Sequence, residues 1–170
     1  IAVASTKAYT TQLIALYTIA LHMATLKGTI SSEEITNIKN EMLELPKLVE
    51  KILENKDILQ KFATRNSNAK DVFFLGRGLD YAVAMEGSLK LKEISYIHSE
   101  AYAAGELKHG TIALIEKGTI VLALLTQDSL YEKLVSNVKE VKARGAFVFA
   151  LAKEGNTEIE TVADETLYIP

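Results

Sequence analysis

Three charged residues, Glu86, Lys90 and Glu93, are spaced so that they lie on one face of a predicted helix. At 100° per residue they fall within an arc of about 60°. A carboxylate and an ammonium on a half-buried face suit acid–base chemistry, because burial raises the pKa of a carboxyl and a neighbouring lysine lowers it again. The pattern predicts that all three point into one cleft, with Glu93 closest to it. A simple i,i+4 ion pair between Glu86 and Lys90 would also explain the spacing.

The same helix, predicted over residues 81–97, has a second polar sector that contains Ser88, Lys92 and Ser95. A helix packed in a folded domain needs only one polar sector to face water. We therefore expect Lys92 and its neighbours to be exposed to solvent, on the side of the helix away from Glu93.

His109 lies in the segment GELKHG, between two glycines, where a turn reachable by solvent is expected. A histidine there can titrate near neutral pH and transfer protons, although a single loop histidine is more often without a chemical role. None of the three histidines has an acidic partner at the spacing of a metal motif. No metal and no other cofactor are expected.

Two further segments could hold oxygen ligands through backbone N–H groups. The Gly-Arg-Gly sequence at 76–78 joins a predicted strand to a helix, where open α/β sheets bind phosphates, although a tight turn needs glycine without any ligand. Ser5, with the backbone of Val3 and Ala4, is placed at a helix N-terminus and is equally explained as an ordinary cap.

The elements that position these residues follow from hydrophobic spacing and from caps. Helices are predicted at 7–27 (capped by Ser5 or Thr6 and ended by Gly28), 32–45, 46–55, 58–64, 81–97 and 128–145, and apolar strands at 72–75, 120–125, 146–151 and 167–169. The first helix carries apolar residues on more than one face, so we expect it to be buried on several sides. Asp128 or Ser129 is the predicted cap of the last helix. Apolar strands that alternate with amphipathic helices predict an α/β fold with a doubly wound parallel sheet.

Composition excludes several classes of protein. The 170 residues carry a net charge of −3 and no cysteine, which excludes disulfides and a cysteine nucleophile in this chain. Lysine and arginine are dispersed, so no nucleic-acid partner is expected. The longest apolar run, residues 13–23, is shorter than a membrane span, and the first residues do not resemble a signal peptide. We expect a cytoplasmic protein that does not bind membranes.

Two motifs carry a resemblance to a known family. EGSLKLKEISYIHSEAYAAGELKHG at Glu86–Gly110 resembles the second sugar isomerase (SIS) module of the glucosamine-6-phosphate synthases, which are glutamine:fructose-6-phosphate aminotransferases. VASTKAYTTQL at Val3–Leu13 resembles a segment of their first module. The resemblance covers essentially the whole chain and implies a flavodoxin-like fold for residues 66–170. Residues 1–30 would then end the first module, and 31–65 would form a helical bridge.

The resemblance also implies chemistry. Family members convert fructose 6-phosphate and glutamine-derived ammonia to glucosamine 6-phosphate. Glu93 matches the carboxylate that transfers the proton, Lys90 its supporting lysine, and His109 the histidine that opens the sugar ring across a homodimer interface. The segment from Val3 to Ser5 matches one that contacts the sugar. The family's glutaminase cysteine, phosphate loop and imine-forming lysine find no match here, so we expect this chain alone to be inactive.

Two other functions stay open at this stage. A regulatory SIS domain binds a sugar phosphate without catalysis, and an SIS deglycase acts on a fructosamine phosphate. The joint presence of Glu93, Lys90 and His109 favours the enzyme over the regulatory domain, because a sensor needs only phosphate and hydroxyl contacts. The apolar face expected on the first helix favours a dimer or a larger assembly.

Overall fold

The computed structural model describes residues 4–170, which divide into two units between Asp57 and Ile58. The first unit consists of two long helices, α1 (Thr6–Lys27) and α2 (Ser32–Leu53). The second contains most of a short helix, α3 (Lys56–Arg65), followed by the sheet and its two covering helices.

Helix α1 has the ends that its sequence predicts. The Ala8 N–H donates a hydrogen bond to the Ser5 hydroxyl oxygen at 3.2 Å, which caps the N-terminus. Gly28 adopts a left-handed conformation with φ 63°, and its N–H bonds to carbonyls of the last turn. Serine at the start and glycine at the end therefore define the helix, as predicted.

The prediction that α1 is buried on several sides is wrong for this chain. Among the described residues of α1, only Leu21 is buried. A pair of helices covers a single stripe of each partner, so the other apolar positions stay exposed. They are Leu16, Tyr17, Ile19, Met23 and Leu26.

Helix α2 begins with a reciprocal capping box. Ser31 accepts from the Glu34 N–H at 3.1 Å, while the Glu34 carboxylate accepts from the Ser31 N–H at 3.0 Å. We predicted that the helix would end at Leu45 and a new one start at Pro46, but α2 continues through the proline. Pro46 removes one backbone hydrogen bond. The apolar stripe nevertheless keeps its helical spacing on both sides of it, at Ile35, Ile38, Met42, Leu45, Val49 and Ile52.

The second unit is built on a parallel five-stranded sheet in the order β2-β1-β3-β4-β5. Its strands are β1 (Asp71–Gly76), β2 (His98–Ala103), β3 (Ile120–Leu125), β4 (Phe147–Lys153) and β5 (Glu165–Ile169). Helix α4 (Leu79–Ser95) connects β1 to β2, and α5 (Tyr131–Ala143) connects β3 to β4. This is the flavodoxin-like strand order, in which the direction of strand addition along the sheet reverses between β1 and β3. The predicted doubly wound α/β fold is confirmed.

The two faces of the sheet have separate apolar cores, because successive strand residues point to opposite sides. One core joins α5 to the sheet through residues such as Val138, Leu75 and Val121. The other joins α4 to the opposite face through Ala84 and Phe74. On that second face Phe62 of α3 packs against Phe149, with ring centroids 4.6 Å apart.

Strand β2 is absent from the sequence-based prediction. It occupies one edge of the sheet and pairs only with β1, from His98 opposite Asp71 to Ala103 opposite Gly76. Its sequence HSEAYA contains none of the β-branched residues that mark the other strands. This strand forms because it pairs with β1, and the β-propensity of its own residues does not predict it.

The start of α5 also differs from its prediction. A short 3₁₀ turn, Asp128–Leu130, comes first, and no side chain caps the helix. The Asp128 carboxylate instead accepts a hydrogen bond from the Lys153 ammonium at 2.7 Å. The ion pair with β4 has taken the place of the predicted cap.

Among residues 4–170, no helix is long and apolar enough to cross a membrane. The same part of the chain contains no group of three or more histidine, cysteine, aspartate or glutamate residues that could hold a metal ion.

Replacing Leu125, which is 1% exposed, by alanine should lower the free energy of unfolding by about 2–5 kcal/mol, since it leaves a cavity in the core beneath α5. Leu114→Ala is the matched control, because Leu114 is 56% exposed and should change the value by less than about 0.5 kcal/mol. Urea unfolding measures both. Equal losses in the two variants would contradict the packing described here.

Candidate functional site

Helix α4 is held to the sheet at its N-terminal end by a buried carboxylate. Asp80 is 4% exposed and lies in the first turn. It accepts a hydrogen bond from the Thr126 N–H at 2.9 Å and a second one from the Thr126 hydroxyl. Because Thr126 directly follows β3, these bonds fix the start of α4 against the carboxyl end of that strand.

A second polar contact attaches the middle of α4 to strand β2. The Ser99 hydroxyl donates to the Ser88 carbonyl at 2.8 Å, and the two hydroxyl oxygens lie 3.0 Å apart. Both serines are buried, so the expectation that Ser88 faces solvent is wrong. Two serines that satisfy each other's hydrogen bonds can lie in a core without an unpaired polar group.

The opposite face of α4 carries the charged cluster formed by Glu86, Lys90 and Glu93. The Lys90 ammonium donates to a Glu93 carboxylate oxygen at 2.7 Å and lies 3.5 Å from a Glu86 oxygen. The side chains are 16% exposed for Lys90, 22% for Glu86 and 29% for Glu93. One ammonium is thus bracketed by two half-buried carboxylates, and the angular grouping expected from the spacing is present.

The electrostatics of the cluster centre on the ammonium. The hydrogen bond to Glu93 raises the pKa of Lys90 above its usual value, with a smaller contribution from the Glu86 charge, while burial acts in the opposite direction. Lys90 is therefore a cation at neutral pH. It orients the Glu93 carboxylate from one side and leaves the other carboxylate oxygen outside this hydrogen bond.

The surroundings of the cluster are apolar. Val83 and Leu89 are 46% and 44% exposed, and their angular positions flank the cluster on α4. Leu79, which is 70% exposed, lies in the same angular sector as the cluster, about two turns before Glu86. Lys92 is exposed, as expected. A ligand placed on this face would meet two carboxylates and one ammonium next to exposed apolar side chains.

His109 lies where the sequence places it, on a solvent-exposed turn. It is the last residue of the 3₁₀ helix Leu107–His109, and the fully buried Leu107 anchors that helix to the core. Within residues 4–170, no hydrogen bond or ion pair joins His109 to Glu93 or Lys90. The structure thus joins Glu86, Lys90 and Glu93 through direct contacts that do not include the histidine.

The predicted N-terminal contacts belong to the other unit. Ser5 caps α1 and Ala4 lies in a bend, whereas Val3 lies outside the described residues. The geometry of Ser5 is that of an ordinary cap.

The Gly-Arg-Gly turn at 76–78 is shaped by its own chain. A β-carbon on Gly76 would lie 2.4 Å from the Asp80 backbone, and Gly78 has φ 57°. The Gln127 side chain lies against Gly78, and its amide donates to the Arg77 carbonyl at 2.6 Å. Close packing and positive φ explain both glycines, and these contacts provide no support for a phosphate site.

The sequence pattern does not predict the roles of Asp80, Thr126 or Ser99. An aspartate in the first turn of a helix is a visible signal, but it is equally typical of an exposed position near the helix dipole. Ser99 gave no signal because its strand was not predicted.

Comparisons with known proteins agree with the observed fold. Residues 67–170 match the SIS domain family. The whole chain is 66% identical to part of the glutamine–fructose-6-phosphate aminotransferase of Caldanaerobacter subterraneus and 61% identical to part of that of Clostridium tetani. It spans 28% of the length of each. The C-terminal domain of glucosamine-fructose-6-phosphate aminotransferase from Francisella tularensis superposes with a TM-score of 0.92 at 40% identity, over 98% of this chain and 48% of that one.

Replacing Glu93 by glutamine should lower the pKa of Lys90, because the hydrogen bond to Glu93 is the largest cause of its elevation. Glu86→Gln is the matched control and should lower it less, since Glu86 lies 3.5 Å from the ammonium. An NMR titration of the Lys90 side chain measures both variants. A larger effect of Glu86→Gln would show that the charge distribution described here is wrong.

Proposed function

The chain belongs to the SIS domain family, and we propose that it is the sugar-phosphate-isomerising part of a glutamine–fructose-6-phosphate aminotransferase. In this proposal the whole protein converts fructose 6-phosphate and ammonia from glutamine to glucosamine 6-phosphate. The observation that carries the proposal is the Lys90 ammonium held between Glu86 and Glu93 on a helix whose other side is fixed to the sheet. The identity to two aminotransferases over the whole chain supports it.

The reaction requires a proton to move between adjacent carbons. Ammonia replaces the C2 carbonyl oxygen, which leaves as water, and an imine results. Removal of a proton from C1 gives an enamine, and return of a proton to C2 with formation of the C1 carbonyl gives the amino-aldose. A single carboxylate oxygen can carry out both transfers, since neighbouring carbons lie within its reach.

We assign these transfers to Glu93, with Lys90 as the supporting cation. The ammonium bonds one Glu93 oxygen at 2.7 Å, so the second oxygen can face the substrate in a fixed orientation. The positive charge also stabilises the negative charge that develops on the imine nitrogen as the C1 proton leaves. A regulatory domain that only binds a sugar phosphate does not need a carboxylate oriented by a cation. The arrangement therefore favours an enzyme over a regulatory domain.

His109 is assigned to ring opening, as its counterpart in the resembled family is. Exposure on a turn suits a group that exchanges protons with a closed sugar ring. Within residues 4–170 His109 forms no hydrogen bond or ion pair with Glu93, which agrees with a site completed by a second copy, and we propose a homodimer. Val3, Ala4 and Ser5 are proposed to contact the sugar, because their segment resembles one that does.

The proposed organisation follows the resemblance. Residues 1–30 would end a first SIS module, 31–65 would form a bridge, and 66–170 would form the second module, whose match begins at residue 67. We also propose a cytoplasmic location, which the sugar-phosphate aminotransferase activity of the relatives supports.

In the intact protein, Glu93→Gln should abolish isomerisation while substrate affinity stays within about tenfold, because the change removes the proton-transferring group and keeps its volume. Product formation and equilibrium binding of fructose 6-phosphate measure the two quantities. Glu106→Gln is the control, because Glu106 is an exposed glutamate in the turn that precedes His109, and this variant should retain activity. Retention of activity by Glu93→Gln would refute the assignment.

His109→Ala should reduce turnover of the ring-closing sugar by about 10²–10⁴-fold, because a general acid–base group at ring opening is lost. A 5-deoxy ketose phosphate, which cannot close the ring, should be affected much less. Lys108→Ala, which alters the adjacent exposed side chain, serves as control. Equal losses on the cyclic and the acyclic substrate would show that His109 does not act in ring opening.

A further inference from the structure

Arg77 occupies the place where an open α/β sheet usually binds its ligand, directly after β1 at the point where strand order reverses. Its guanidinium faces the protein. Nη1 donates to the side-chain oxygen of Asn137 at 2.9 Å, and Asn137 is 6% exposed on α5. The Asn137 amide in turn donates to Glu140 at 3.3 Å. Within residues 4–170, no carboxylate forms an ion pair with Arg77.

The guanidinium also packs against the backbone of Gly105. A β-carbon at Gly105 would lie 2.9 Å from Nη1 and 3.1 Å from Nη2 of Arg77, so only glycine lets the two approach this closely. Next to this contact, the Ala104 N–H donates to the Gly76 carbonyl at 2.9 Å. The segment that follows β2 therefore rests on the turn that follows β1, through one backbone bond and one side chain.

This supported segment leads directly to His109. The Glu106 N–H donates to the Ala103 carbonyl at 2.8 Å, and the His109 N–H donates to the Glu106 carbonyl at 3.0 Å. Leu107, between them, is fully buried. Two consecutive hydrogen-bonded turns and one buried anchor thus connect the segment at Gly105 to His109.

We propose that Arg77 is a positioning residue for His109. The crevice at the carboxyl end of β1, which holds a ligand in many open α/β sheets, holds the arginine here, and the arginine supports the histidine turn. This inference rests on the proposed function for its catalytic consequence. Its structural part, which is that Arg77 supports residues 104–109, does not depend on the proposed function.

The chemistry of the contact requires arginine. A guanidinium is planar and carries several donors in a fixed geometry, so Nη1 can bond Asn137 while the same end of the group packs against Gly105. A lysine at this position keeps the positive charge but offers a single flexible ammonium. Arg77→Lys therefore tests geometry while charge is held constant.

The test compares Arg77→Lys with Arg144→Lys in the intact protein. Arg144 is exposed beyond the end of α5, so its variant carries the same substitution away from the turn. Arg77→Lys should lower kcat for fructose 6-phosphate by about 10- to 100-fold, as expected for a misplaced catalytic group. With the 5-deoxy ketose phosphate, kcat should stay within about twofold of wild type, since no ring is opened. Arg144→Lys should match wild type on both.

Amide hydrogen exchange provides a readout that does not depend on the reaction. The amides of Glu106 and His109 should exchange about tenfold faster in Arg77→Lys and unchanged in Arg144→Lys, because the turn opens more often without its support. Unchanged exchange in Arg77→Lys overturns the inference whatever the activity. Faster exchange together with equal kinetic losses on both substrates overturns the link to His109.

Two further controls separate the possible failures. If Arg77→Lys does not fold, Gly105→Ala replaces it. The added methyl group displaces the guanidinium from Gly105, while the protein keeps the arginine and its positive charge. If the wild-type protein does not convert fructose 6-phosphate, the proposed function fails, and the exchange measurement still decides whether Arg77 supports the turn.

Discussion

Helix α4 is attached to the sheet along one side by buried hydrogen bonds, and the position of the charged cluster depends on this attachment. Asp80 bonds to Thr126 at the start of the helix, and Ser88 bonds to Ser99 near its middle. Two polar contacts about two turns apart limit both rotation and sliding of the helix, which apolar packing alone restricts less specifically. The face that carries Lys90 is therefore held in one orientation.

The parallel sheet determines how the remaining residues are arranged. Because β2 is an edge strand beside β1, the segment after it returns over the turn after β1 and brings Gly105 against Arg77. The end of the sheet that binds ligands in many α/β proteins is occupied here by Arg77 and Gln127. The two carboxylates that flank one ammonium lie instead on the outer face of α4.

Much of this could be predicted from sequence, for physical reasons that differ between elements. Strands β1, β3 and β4 are buried on both faces and appear as continuous apolar runs, so their positions were clear. Strand β2 is polar and forms by pairing with β1, so its own sequence does not predict it. The spacing of Glu86, Lys90 and Glu93 revealed their common face, since helical geometry alone determines it. The burial of Ser88 could not be predicted, because it depends on Ser99, a partner from the unpredicted strand. The continuation of α2 through Pro46 shows that a long apolar stripe can outweigh one lost hydrogen bond.

A crystal structure of the intact protein with fructose 6-phosphate bound would test the central claim most directly. The account predicts that C1 and C2 of the sugar lie beside Glu93, with a carboxylate oxygen within about 3.2 Å of their hydroxyl or carbonyl oxygens. It also predicts that Arg77 remains bonded to Asn137. A sugar phosphate bound at the Gly-Arg-Gly turn, with Arg77 directed to the phosphate and Glu93 remote from the sugar, would contradict the account.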